Sequence, residues 1–227
     1  MIATMMIAAF ALQNEEIAQA AKKAAEMESY SFKVDVKAGK GKKGPPSYEG
    51  KYQKDQPLAL KTGTTEGFKK GAVVVAKEGE EYKKVEKPKK GAKKDASPAS
   101  LALAFFDVKL PHEIFEGLEK SFEKIEKAAE KDKDCAVWSG PLTAEGARGI
   151  ASTGAKSEAK ANLTYTGTAK VWINAQGFIV RFEASVDVKG DSAKGEINQK
   201  VTKTVEIGDI GSAKVELPEA AKKALEG

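Results

Sequence analysis

Residues 169–189, AKVWINAQGFIVRFEASVDVK, decide the fold. Ala169, Val171 and Ile173 alternate with Lys170 and Trp172, the period of a strand with one apolar face. Asn174-Ala175-Gln176-Gly177 has turn composition. Phe178, Val180, Phe182, Ala184, Val186 and Val188 then share one face of the next strand, against Arg181, Glu183, Asp187 and Lys189. Two amphipathic strands joined by a tight turn form an antiparallel hairpin. The stretch therefore predicts a sheet with one side packed and one side in water.

The same pattern extends outward. Ile197, Val201, Val205 and Ile207 predict a third strand, with Gln199 and Lys203 interrupting its apolar face. Towards the N-terminus, Tyr30, Phe32, Val34 and Val36 alternate with Ser31, Lys33, Asp35 and Lys37. Further strands are expected around Tyr48–Tyr52, at Leu58 and Leu60, at 72–76 and at 81–86, and a short one at Cys135, Val137 and Trp138. Helices are expected from Asn14 to about Met27, from Ser97-Pro98, at a turn over Thr143–Ala147 and at the C-terminus. Pro111 is read as opening the longest helix, to about Lys131, because Ile114, Phe115, Leu118, Phe122, Ile125 and Ala129 fall on one helical stripe. Glu116–Lys120 and Glu123–Lys127 would then be favourable i,i+4 pairs. Strand runs with a helical segment between them give an α+β fold. The expected architecture is a curved antiparallel β half-barrel, unclosed, covered by helices on its concave face. Residues 12–227 are read as a single domain.

Composition removes several classes of function. Of 227 residues, 41% are apolar and 31% charged; 38 cations against 33 anions give a net charge of +5. Only Arg148 and Arg181 are arginine. Base reading and bidentate phosphate capture favour the arginine fork, so no nucleic-acid partner is expected. One cysteine, Cys135, allows no internal disulfide, and one histidine, His112, allows no His-rich metal centre. The 11 apolar residues MIATMMIAAFA at the N-terminus are too short to span a bilayer. They match the apolar core of an export signal, and Ala9-Phe10-Ala11 fits its cleavage pattern; a buried N-terminal helix is the alternative. No Cys follows to carry a lipid anchor. The expected product is periplasmic or secreted and not membrane-spanning. The lysine-rich run 87–97 reads as a solvated hinge, with an anionic-surface contact as its alternative.

Catalytic chemistry is hard to find. His112 sits at a helix start with no motif pairing it to a nucleophile. Cys135 reads as a small buried hydrophobe. No phosphate-binding, dinucleotide or zinc-protease motif occurs. No catalytic residue, metal or cofactor is expected. What remains is apolar. Phe105, Phe106, Phe115, Leu118 and Phe122 from the helices and Val171, Ile173, Phe182, Val186 and Val201 from the strands would line the space between sheet and helices. That space is either a filled core or a cavity for an acyl chain. Gln199 and Lys203 would lie at its mouth, near a headgroup, unless a bulge turns them outward.

Gly167-Thr168-Ala169-Lys170-Val171-Trp172-Ile173-Asn174 followed by Gly177-Phe178-Ile179-Val180-Arg181 resembles a hairpin motif of the periplasmic lipoprotein carriers and the related mycobacterial lipid-binding lipoproteins, the LolA/LppX-like fold. Ser139-Gly140-Pro141-Leu142-Thr143 and Ile207-Gly208-Asp209-Ile210-Gly211 through Leu217-Pro218 are similar to the mycobacterial branch. Asn174 stands where the motif commonly has Asp. The resemblance implies a half-barrel that binds lipid chains beneath its helices and ferries or senses them. The expected partner is thus a lipid or an acylated lipoprotein, bound by a monomer. The alternative is an envelope protein–protein interaction module with a filled core.

Overall fold

The computed structural model describes residues 15–39, 47–86, 101–129, 132, 134–151, 162–192 and 195–227. The apolar N-terminal run and the lysine-rich run at 87–97 lie outside these. Helix α1 (15–25) is followed by β1 (Ser29–Ala38), β2 (Tyr48–Gln53), β3 (Leu58–Thr62), β4 (Thr65–Lys70), β5 (Val73–Glu78) and β6 (Glu81–Lys84). A 3-10 helix (Leu103–Asp107), α2 (Pro111–Phe115), a second 3-10 helix (Leu118–Ser121) and β7 (Glu126–Lys127) come next. The chain continues with β8 (Ala136–Pro141), α3 (Ala144–Ala151), β9 (Asn162–Ile173), β10 (Ile179–Ser192), β11 (Gly195–Gly208) and α4 (Glu219–Glu226). The strands hydrogen-bond in the order β6-β5-β4-β3-β2-β1-β11-β10-β9-β8-β7, an unclosed eleven-stranded sheet. The α+β class and the antiparallel ladder match the expectation from alternation.

Two compact units form. The first takes the described residues that fall within 15–26, 35–39 and 111–206, and the second those within 27–34, 47–86, 101–110 and 207–227. In the second unit, Phe68 and Val75 oppose each other across β4 and β5 and pack with Ala221 and Leu225 of α4. The other side of β4 is closed by Phe105, whose ring lies against Gly67. Strand β4 itself is absent from the sequence reading, because Thr65-Glu66-Gly67-Phe68 shows no apolar alternation. Gly67 has no side chain at the position that faces Phe105.

In the first unit the β9–β10 hairpin forms as read. The amide of Gly177 donates to the Asn174 carbonyl at 2.9 Å, and Asn174 Oδ1 accepts from the amides of Gln176 and Phe178 at 3.1 and 2.9 Å. Two details differ. The pairing shifts between Ile179 and Arg181, a β-bulge. The extra residue reverses the face of what precedes it. Ile179 therefore sits, fully buried, on the face of Phe182, while Val180 packs on the opposite side with Cys135, Val137 and Trp172.

The larger correction concerns 111–131, which is not one long helix. Helix α2 ends after five residues, and Gly117 takes the left-handed conformation at φ 69° that stops helices. After the 3-10 turn the chain runs as an edge strand along β8. Thr143 N donates to Ser121 O (2.9 Å), Glu123 N to Pro141 O (3.0 Å) and Ala128 N to Val137 O (2.8 Å). An uncovered β8 edge would expose a row of unpaired backbone groups. Pairing that edge, with burial of Phe122 and Ile125, outweighs the helical pattern. The two i,i+4 pairs are lost with it. Lys124 pairs with Glu126 instead, and Lys127 lies 3.7 Å from Glu16 of α1.

Candidate functional site

The candidate site is one face of β8–β11 in the first unit. Residues opposed in register project to the same side of a sheet, and alternate residues along a strand share a side. The registers give a grid. Trp138, Val171, Phe182 and Val205 form one row. Gly140, Ala169, Ala184 and Lys203 form the next. Gly167, Val186 and Val201 form the third, and Tyr165, Val188 and Gln199 the fourth. The β10–β11 register runs without a shift from Arg181 to Ser192, so no bulge turns Gln199 or Lys203 outward. Both stay on the apolar face, half-buried.

Short elements cover this face. The Phe115 ring meets Phe182 edge-on, with centroids 6.1 Å apart and planes at 67°. Helix α3 packs on β9 and β10. Its start is fixed by Thr143, whose Oγ1 accepts from the Gly146 amide at 3.0 Å. Near the hairpin turn, α1 places Lys23 Nζ 2.8 Å from the Gln176 carbonyl and 5.8 Å from the centre of the Phe178 ring. The segment over β8 comes so close that a Cβ on Gly140 would collide with the Lys124 carbonyl.

Of the residues selected from sequence, Val171, Ile173, Phe182, Val186 and Val201 share this face and are buried. Phe115, Leu118 and Phe122 are buried in the same unit. Phe105 and Phe106 belong to the other unit, where Lys69 Nζ donates to the Phe106 carbonyl at 2.9 Å. Sequence reading missed Trp138. Its neighbour Val137 is equally apolar, so alternation does not show which of the two faces inward; only the register with Val171 does. Trp138 is 2% exposed, and its Nε1–H has no hydrogen-bond partner among the described residues. Gln199 Oε1 is likewise buried and unpaired.

The opposite face carries the small apolar cluster of Cys135, Val137, Trp172 and Val180, with charged groups around it. The Arg181 guanidinium sits 5.0 Å from the centre of the Trp172 ring and donates to Glu183, and Trp172 Nε1 donates to Asp132 at 3.0 Å. The hydrogen bond to Glu183, opposed by partial burial, raises the Arg181 pKa further above its usual value. Both side chains are 37% exposed, so the pair adds little stability. His112, the second residue of α2, is half-buried, and desolvation lowers its pKa despite the opposing charges of Glu113 and Glu116. Among the described residues no cluster of His, Cys, Asp and Glu fits a metal ion, and no helix is long and apolar enough to cross a membrane. An open cleft of about 400 Å³ in the second unit is lined by polar residues such as Glu28, Gln53, Lys54, Asp55 and Lys214. It lacks the apolar walls an acyl chain needs.

In three dimensions the chain is similar to the Mycobacterium tuberculosis lipoprotein LppX, with a TM-score of 0.51 and 16% identity over 90% of this chain and 97% of that one. LprF from Mycobacterium bovis aligns with a TM-score of 0.52 and 14% identity, over 92% and 96% of the two chains. A LolA superfamily protein from Nitrosomonas europaea aligns with a TM-score of 0.29 and 7% identity over 89% and 94%, too distant for structural comparison. No protein-family model matches the sequence, and no curated protein is significantly similar to it. The chain has an LppX-like fold, as the hairpin resemblance implied.

Proposed function

We propose that this protein is an exported carrier or sensor that holds lipid or lipoprotein acyl chains against the apolar face of β8–β11, and that it catalyses no reaction. The observation that carries this is the construction of that face. Four strands present an apolar surface interrupted by Gln199 and Lys203, and its cover within the unit includes, besides α1, helices of only five and eight residues. Short helices lose few contacts on opening, whereas a sheet-on-sheet core has no such movable side. An acyl chain entering beneath them gains about 0.8 kcal/mol per buried CH₂. The LppX-like fold supports the reading, as does the export-type apolar run at residues 1–11.

The test is to purify the full chain from a bacterial envelope and extract it for lipid mass spectrometry, then titrate the delipidated protein with a fluorescent fatty-acyl probe. The expected result is co-purified lipid near one molecule per chain and saturable probe binding. Lipid-free protein with no probe affinity would overturn the proposal and leave a filled core.

A further inference from the structure

Among the described residues, three buried side-chain atoms have no hydrogen-bond partner: Thr65 Oγ1, Trp138 Nε1 and Gln199 Oε1. Native proteins pair the large majority of such atoms, and a buried indole N–H usually finds an acceptor. Thr65 lies in the second unit. The other two lie on the same face of the same four strands, the one that forms the candidate site. Trp138 is the sharper case. An indole offers one donor and no acceptor, and this one is 2% exposed. The Lys127 ammonium holds the ring from 5.0 Å but has no acceptor to offer it. Beside Trp138 the face is lined by Ala169 and Ala184, whose side chains carry no polar atom.

Resting on the carrier reading, we infer that Trp138 Nε1–H is the polar anchor of the site and donates a hydrogen bond to the carbonyl oxygen of an acyl ester in the bound lipid. A carbonyl is the one strong acceptor that lies at the head of an acyl chain and still enters an apolar space. A hydroxyl or phosphate headgroup would bring further polar atoms that Ala169, Ala184, Val171 and Phe182 leave unsatisfied, and the polar side chains of this face that could pair them, Gln199 and Lys203, stand across it on β11. The anchor thus selects ester-linked chains over ether-linked ones. An ether oxygen is a weak acceptor, and binding it would leave the indole unpaired.

Two-dimensional NMR of the full-length ¹⁵N-labelled protein tests this, because the chain has only two indole N–H signals, from Trp138 and Trp172. W138F assigns them. The probes are a diacyl phosphatidylglycerol and its dialkyl-ether analogue, added to delipidated protein. The expected result is a shift of the Trp138 indole signal with the ester lipid and a much smaller one with the ether lipid. W138F should bind the ester lipid about three- to tenfold more weakly and the ether lipid unchanged, the size of one hydrogen bond. If W138F does not fold, Trp172→Phe assigns the signals and the wild-type spectra decide. Saturable binding of both lipids with equal affinity and a static Trp138 signal would overturn the inference and leave the carrier reading standing. Binding of neither lipid would overturn both.

Discussion

Removing the Phe182 ring probes how tightly the candidate face is packed. Phe182 is fully buried at the centre of its row, between Val171 and Val205, with Phe115 edge-on at 6.1 Å. A buried Phe→Ala costs about 3–5 kcal/mol when the surroundings hold their shape. At about 2–4 °C per kcal/mol for a chain of this size, the Tm of Phe182→Ala should fall by about 6–20 °C. Phe115→Ala should cost a similar amount. Because the two rings touch, the double variant should lose about 0.5–1.5 kcal/mol less than the sum of the singles. The assay is urea unfolding of delipidated protein, since bound lipid would add its own stabilisation. The slope must be unchanged for the comparison to hold. A single-variant loss under about 1 kcal/mol, with strict additivity, would refute the packing argued here and indicate a ring already facing a void.

Gln199→Leu removes a buried carbonyl that has no partner, so the unliganded protein should gain about 1 kcal/mol in urea unfolding; a loss would show that the amide is satisfied. Gly140→Ala places a Cβ against the Lys124 carbonyl, so one of the two backbones must shift. It should cost about 1–3 kcal/mol, and a neutral result would refute the close crossing over β8. His112 has a folded-state pKa below its unfolded value near 6.5, so the unfolded chain binds the proton more readily. Its stabilising contribution is complete above about pH 6.5 and declines as pH falls through that value towards the folded pKa. Chemical unfolding from pH 7.5 to 5 should therefore show wild type losing stability relative to His112→Gln on the acid side. Parallel curves would contradict the burial of this imidazole.

The hairpin at 169–189 was legible because alternation and turn chemistry are local properties of a strand pair. The paths of β1 and β11 were legible for the same reason. The bulge at Ile179–Arg181 was not, since one inserted residue moves Val180 to the other face without changing composition. The segment 111–131 shows the opposite failure. Its apolar spacing suits a helix, yet β8, which follows it in the chain, takes it as an edge partner.

For the candidate site, the chain by itself determined an apolar strand face interrupted by Gln199 and Lys203, a surface of lysine and glutamate, and the absence of any recognisable catalytic motif. Those follow from residue types at fixed periods. The tertiary structure alone decided that Gln199 and Lys203 remain on that face and that Phe105 and Phe106 belong to another unit. It also decided that Trp138 faces inward with its N–H unpaired. Register, bulges and edge pairing set these outcomes. They are hydrogen-bond choices between segments distant in sequence, and no local pattern encodes which partner a strand will find.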